Sequence, residues 1–120
     1  MLKQAFLILL VFISFQGISQ SVKISKCSNL EVMQTDLGKM TWDEANKACE
    51  KLGDGWRLPT IEELFFVFEN RNKIRELKEG NYWTSEESVD EYAWYAFDDG
   101  VAYYDFKYSK NYVRAVRDIK

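Results

Sequence analysis

The chain has 120 residues, 16 basic against 19 acidic side chains, no histidine, and an aromatic content of 16%. That is one domain by size, with enough apolar material to bury a core. The net charge of −3 argues against a nucleic-acid role, which needs a basic stripe, and the absence of histidine removes the commonest general base, the Ser-His and Cys-His nucleophile pairs and histidine-ligated metals.

The first element is a targeting segment. Lys3 supplies the charge, Ala5 to Phe15 the apolar run, and Gly17 with Ser19 the small residues a signal peptidase reads. The reading is a signal peptide over residues 1–19, cleaved near Ser19, and one domain over 20–120 that is periplasmic or secreted. The apolar run is too short to cross about 30 Å of hydrocarbon, so no membrane span is expected in the mature chain. Ile24, Ser25 and Lys26 before Cys27 are a poor match to a lipid-anchoring cysteine site.

An even cysteine count in an exported chain points to a Cys27–Cys49 disulfide, which would contribute roughly 3 kcal/mol in the chain-entropy model. Two separate thiols, with Cys49 buried on a helix, is the alternative.

Val22 to Ile24 and Leu30 to Gln34 read as short strands, followed by a turn around Asp36 and Gly38. In "TWDEANKACEKLG", Thr41 and Glu44 form a capping box. Trp42, Ala45, Cys49 and Leu52 recur at helical spacing, and Gly53 stops the helix. "DGWRLPTIEELFFVFEN" repeats this grammar. Trp56 and Leu58 anchor an extended segment, Pro59 fixes its direction, and Thr60 with Glu63 starts a second helix whose face carries Ile61, Leu64, Phe65 and Phe68. Arg57 is expected to meet an acid or a carbonyl. One further helical turn fits within residues 72–80.

From Tyr82 the pattern changes to strands. "NYWTS" is the first, and "YAWYAF" and "VAYYDF" flank Asp98-Asp99-Gly100. Asp-Gly predicts a two-residue type I′ turn at Asp99-Gly100. Asp98 then pairs with Val101 and Trp94 faces Asp105. Ala93, Tyr95, Phe97, Ala102, Tyr104 and Phe106 become the core face, and Trp94, Tyr103 and Asp105 share the open one. "YVRAVR", Tyr112 to Arg117, is the closing strand. The fold class is α+β: two helices packed on a small twisted antiparallel sheet.

The candidate ligand surface is Trp94 and Tyr103 with Asp105, and Trp83 on the strand before. Exposed rings stack on a sugar or a peptide, and a carboxylate takes hydroxyl or amide protons. The adjacent acids Glu62-Glu63, Glu86-Glu87 and Asp98-Asp99 read as solvated surface. Between Lys78 and Lys107 lie eight acids and no base, whereas Lys107 to Lys120 holds five bases and one acid. The acidic strands are expected to lie beside the basic closing strand and balance it. The competing cation site lacks calcium-loop spacing, so no metal and no cofactor is expected.

In order, "MTWDEANKACEKLGDGWRLPTIEEL", "YWTS", "AWYAFDDG" and "YVRAVR" resemble the Lcl C-terminal domain family from about Leu30 to Asp118. This is a bacterial envelope and secreted family named after a collagen-like adhesin. The resemblance marks Trp42, Trp56, Arg57, Pro59, Thr60 and Glu63 as structural-motif residues. It implies a C-type-lectin-like fold, similar to the formylglycine-generating and sulfatase-modifying domains. Those enzymes need a cysteine pair late in the chain, and nothing after Cys49 is a cysteine. The proline motifs of calcium-dependent lectins are also missing, Pro59 being the only proline. The adhesin's association with sulfated glycans transfers poorly to an acidic domain.

The expected function is an exported non-catalytic binding module for a glycan or protein ligand. A self-assembling envelope protein with an aromatic interface is the alternative. A carboxylate-based enzyme comes third.

Overall fold

The computed structural model describes residues 21–24 and 29–119. The leader expected over 1–19 and Cys27 lie outside the described residues.

Among the described residues, eight strands and two helices follow in the order β1 (Ser21–Ile24), β2 (Leu30–Met33), β3 (Gly38–Met40), α1 (Trp42–Leu52), α2 (Ile61–Glu69), β4 (Asn81–Glu87), β5 (Tyr92–Phe97), β6 (Val101–Phe106), β7 (Asn111–Val113) and β8 (Val116–Asp118). A single 3₁₀ turn, Arg71–Lys73, follows α2. The fold is α+β, as the order of periodicities predicted.

Both helices start as their sequences dictate. The Thr41 and Thr60 side chains accept the backbone N–H of Glu44 and Glu63, whose carboxylates return to the cap N–H, completing two capping boxes. Gly53 ends α1 at φ 68, its N–H on the Glu50 carbonyl. The stripe of α1 buries Ala45 and Cys49, while Leu52 stays exposed. In α2 the buried set is Leu64, Val67 and Phe68. Val67 was absent from the predicted face, and Phe65 and Ile61 are only partly buried.

The strands form two sheets, not one. β1-β2-β8 is a three-stranded antiparallel sheet, and β3-β7-β4-β5-β6 is a five-stranded sheet in which β4 and β7 run parallel. Adjacent residues of the larger sheet face opposite ways and serve separate cores. Tyr82 and Ala96 join Leu64, Val67 and Phe68 of α2 with Leu30, Val32 and Val116 of the smaller sheet. Trp83, Ala93 and Val113 join Ala45 and Cys49 of α1 with Leu58 and Ala115. Each helix therefore serves its own core.

The predicted closing strand is divided. Tyr112 and Val113 belong to β7 in one sheet, Val116 and Arg117 to β8 in the other, with Arg114-Ala115 as the break. The cause is Arg114, whose side chain is fully buried. Its Nε donates to Asp36 Oδ1 at 2.6 Å and its terminal nitrogens donate to the carbonyls of Met33, Arg75 and Glu76. The Tyr82 hydroxyl donates to the other Asp36 oxygen and accepts the Lys78 N–H. Burial, first of all, raises the Tyr82 hydroxyl pKa.

The hairpin register also differs from expectation. Phe97 pairs with Val101 and Trp94 with Tyr104, so the loop has three residues, Asp98 to Gly100. Gly100 takes φ 83 and donates its N–H to the Phe97 carbonyl, whereas Asp99 keeps negative φ. A type I turn closed by a left-handed glycine fits this geometry, and a type I′ turn would need positive φ at both residues. Asp98 is held out of the strand by Arg71, which donates to its carboxylate and its carbonyl, each at 3.2 Å. The one-residue slip moves every β6 side chain to the other face relative to β5.

Candidate functional site

Directly opposed residues of an antiparallel pair share a face. The true register therefore puts Tyr92, Trp94, Tyr104 and Phe106 on one face of the β5–β6 hairpin. Tyr95 and Tyr103 lie on the other.

The first group is a ladder of touching rings, continued by Tyr108. Trp94 meets Tyr104 edge-on at 5.4 Å, and Tyr104 meets Tyr92 edge-on at 5.5 Å. Phe106 leans on Tyr92 at 4.6 Å and stacks on Tyr108 at 4.9 Å with 13° between planes. Tyr104, Phe106 and Tyr108 are 57%, 38% and 64% exposed. On the reverse face Tyr103 is also exposed and lies 5.8 Å from Tyr95. Burial, then the charge of Asp105, raises the Tyr95 hydroxyl pKa.

The expected surface of Trp83, Trp94, Tyr103 and Asp105 is therefore not assembled. Trp83 is fully buried, its indole N–H on the Met40 carbonyl at 2.8 Å. Trp94 and Tyr103 lie on opposite faces. Asp105 is occupied locally: it accepts the Phe106 N–H at 2.8 Å and the Ser109 hydroxyl at 3.0 Å. The expected core face is also reversed in β6, since Tyr104 and Phe106 are exposed. Tyr104 and Phe106 were missed through the register error, whereas Tyr92 shares the Trp94 face in either register and Tyr108 lies in the turn after β6. The doubled acid before Gly100 was the available signal, because the first Asp of a three-residue loop is free to take an outside partner.

The hairpin is fixed to the scaffold through the strand before it. The Trp42 indole donates to the Thr84 carbonyl at 2.8 Å, and the buried Thr84 hydroxyl donates to the Trp94 carbonyl at 2.8 Å. Lys107 lies 4.8 Å over the Trp42 ring and pairs with Glu87 at 2.6 Å. Beside it opens a cleft of about 300 Å³ lined by Thr41, Asp43, Asp90, Glu91, Lys107 and Tyr108.

The motif that marked the family builds the junction between the helices and the sheets. Arg57 forks onto both oxygens of Glu63 at 2.7 and 2.8 Å and reaches Asp118 at 2.9 Å. Its backbone bridges Val116. Hydrogen bonding to Glu63 raises the guanidinium pKa further. Burial pushes the Glu63 carboxyl up, but the Arg57 and Thr60 hydrogen bonds outweigh it and leave the net shift downward. Pro59 is buried and its carbonyl accepts the Ser85 N–H at 2.8 Å. Trp56 lies under Arg117, 4.4 Å from its guanidinium. The paired acids are not all mere solvated surface: Glu63 is the Arg57 partner, and Glu86 accepts the Ile61 N–H at the start of α2.

Charge is balanced across the sheet as expected at Lys107 and Glu87, but not by the arginines. Arg114 and Arg117 of the closing segment are taken by Asp36 and Glu31 in the first part of the chain. Cys49 is a free thiol, buried among Ala45, Leu58 and Trp83, so the expected disulfide is not formed and the alternative of a packed thiol holds for Cys49. Burial, then the Glu50 charge, pushes that thiol up to about 11. Among the described residues no group of three or more metal-ligating side chains is assembled, and no helix is long and apolar enough to cross a membrane.

No curated protein matches this chain. The model of the Lcl C-terminal domain matches residues 22–117. That span takes in both capped helices, the Arg57 junction and the aromatic hairpin, and the chain belongs to the Lcl C-terminal domain family.

Proposed function

We propose that this domain is a non-catalytic binding module, exported to the bacterial envelope or exterior, whose ligand docks on the aromatic β5–β6 hairpin. The observation that carries the reading is the row of exposed rings Tyr104, Phe106 and Tyr108 at 57%, 38% and 64% on the outermost strand, and the turn that follows it, of a sheet anchored from behind. Exposed large apolar side chains grouped on one element mark interaction sites more often than isolated ones do. The helices and the sheet's inner strands supply a packed base, and the hairpin supplies the exposed surface, the division of labour of a C-type-lectin-like domain. The side-chain inventory favours binding over turnover. Asp98, Glu87 and Asp105 have structural partners, and Cys49 is buried.

The test is a screen of the purified chain against arrayed glycans and envelope proteins, repeated with Tyr104→Ser and Tyr108→Ser. Both tyrosines are exposed, so these variants should fold. Saturable binding that falls roughly tenfold in the variants is expected, the equivalent of about 1.4 kcal/mol. No saturable binding to any component, or binding indifferent to both substitutions, would refute the reading.

A further inference from the structure

We propose that the free edge of β6 takes up an extended, lysine- or arginine-bearing segment of a protein partner as an added strand. The proposal rests on the binding-module reading and names its ligand class.

The backbone comes first. β6 ends the five-stranded sheet. The Lys107 N–H donates to the Glu91 carbonyl at 2.7 Å, which sets the alternation along the strand. Residues 103 and 105 turn their polar groups toward β5, Val101 gives its N–H to the Asp99 carboxylate of the loop, and Ala102, Tyr104 and Phe106 turn theirs off the sheet. Phe106 is satisfied locally: its N–H donates to Asp105 and its carbonyl accepts the Ser109 N–H at 2.9 Å. Ala102 and Tyr104 remain, with two donors and two acceptors in strand geometry and no cover among the described residues. An uncovered edge of this kind is a template for strand addition. The cap at Phe106 limits the added ladder to a short stretch.

Charge selects the occupant. The segment between Lys78 and Lys107 carries eight acids and no base. Arg71 pairs with Asp98 and Lys107 with Glu87. Asp90, Glu91 and Asp99 are exposed and have no cationic partner among the described residues. A second copy would bring one acidic rim against another, whereas a basic segment would meet complementary charge at both ends of the strand.

The rings favour a strand over a sugar. Phe106 spends its faces on Tyr92 and Tyr108, so the ladder offers ring edges more than an open platform. Side chains of an added strand alternate between faces. They would find Tyr104 and Phe106 on one side of β6 and Val101 and Tyr103 on the other.

The probe is a capped, labelled peptide of roughly six residues, an ordinary strand length, alternating lysine with valine. Two controls accompany it, one with glutamate for lysine and one with alternate backbone nitrogens methylated. Binding to the purified chain is read by fluorescence anisotropy, and amide-hydrogen exchange is followed residue by residue. The lysine peptide should bind saturably and slow exchange at Ala102 and Tyr104. Both control peptides should bind roughly tenfold more weakly or not at all. Ala102→Pro should weaken binding similarly, since that N–H makes no bond within the sheet and proline is tolerated on such an edge. Asp90→Asn with Glu91→Gln tests the charge term without touching the strand. It serves alone if the proline variant does not fold.

Absence of lysine-peptide binding overturns the proposal, as does equal binding of the glutamate peptide or unchanged exchange at Ala102 and Tyr104. Self-association at low salt that protects those same amides also overturns it, in favour of a second copy. If neutral glycans bind in a Tyr104-dependent way and the peptide does not, the strand proposal falls and the binding-module reading stands. If nothing binds, both fall.

Discussion

Replacing Asp36 by asparagine should be among the most damaging single changes in this domain. The Arg114 side chain is 0% exposed and that of Asp36 8%, with 2.6 Å between Nε and Oδ1. Asparagine keeps the volume and an acceptor for the Tyr82 hydroxyl but removes the carboxylate paired with this guanidinium. The carbonyls of Met33, Arg75 and Glu76 still accept hydrogen bonds, yet they supply no net charge. Leaving a buried charge without its partner costs about 3–5 kcal/mol, a large share of the roughly 5–15 kcal/mol available to a domain. With an m-value of about 1–2 kcal/mol per M, the urea midpoint should fall by about 1.5 M or more. Tryptophan fluorescence reports this, because Trp83 passes from full burial to water. Adding Arg114→Met to Asp36→Asn removes the stranded charge, so the pair of changes should cost less than the sum of the two alone. A cost below about 1 kcal/mol for Asp36→Asn, or strict additivity in the cycle, would show that the three carbonyls suffice and would refute the reasoning.

Four further outcomes follow from the geometry. Thr60→Ala removes the acceptor for the Glu63 N–H and should cost about 1 kcal/mol in thermal unfolding while leaving ligand binding intact. Glu63 has a folded pKa below its unfolded value, so its pairing with Arg57 stabilises above the unfolded value of about 4.3 and is lost as pH falls through the lower folded value. Unfolding measured across that range should show less pH dependence in Glu63→Gln than in the parent. Cys49, its thiol pushed up to about 11 by burial, should resist alkylation near pH 8 in the folded chain and react promptly in urea without reductant. A Cys49 that stays unlabelled in urea would reveal a disulfide. Gly100→Ala meets no atom within 4 Å but must hold φ 83, so it should cost roughly 1–2 kcal/mol from backbone strain alone, measured by the same urea titration.

Local chemistry made the helices readable. Thr41 with Glu44 and Thr60 with Glu63 are short-range pairs, and each fixes a helix start from residues three apart. The strands after Tyr82 were readable as strands for the same reason, through aromatic and β-branched content. What failed depended on one long-range decision. Whether Asp98 ends β5 or opens the loop is decided by Arg71, 27 residues away, and no periodicity in "YAFDDGVAYY" contains that contact. The error then moved Tyr103 and Tyr104 together, because register is a single variable for the whole strand. Arg114 was obscure in a related way. An arginine between valines reads as the solvent face of a strand, and only the distant Asp36 makes its burial affordable. Trp83 shows a further ambiguity. A tryptophan on a strand stacks on a ligand or fills a core, and the identity of its neighbours in sequence does not distinguish the two.

The hairpin gains its meaning from the contrast with the rest of the sheet. Strands at sheet edges are ordinarily protected by lysine, proline or a covering segment. The opposite edge, β3, carries Lys39, lying 4.9 Å over the Tyr112 ring, and leads directly into α1. In β6 the charged residue is Asp105, and its carboxylate folds back along the free edge onto the Phe106 N–H, blocking one backbone donor and leaving those of Ala102 and Tyr104 open. The edge is thus restricted in length and acidic at its rim, without being closed. Acidity at the rim opposes the self-pairing that an open aromatic strand invites. A folded chain can keep such an edge in water only while that repulsion holds, so raising the salt concentration should promote self-association of the parent through β6. The same salt should weaken capture of a lysine-bearing strand, since both effects are screened over about 10 Å at 0.1 M. Sedimentation and anisotropy across one salt series should therefore move in opposite directions, and a common direction would mean that charge does not govern what β6 accepts.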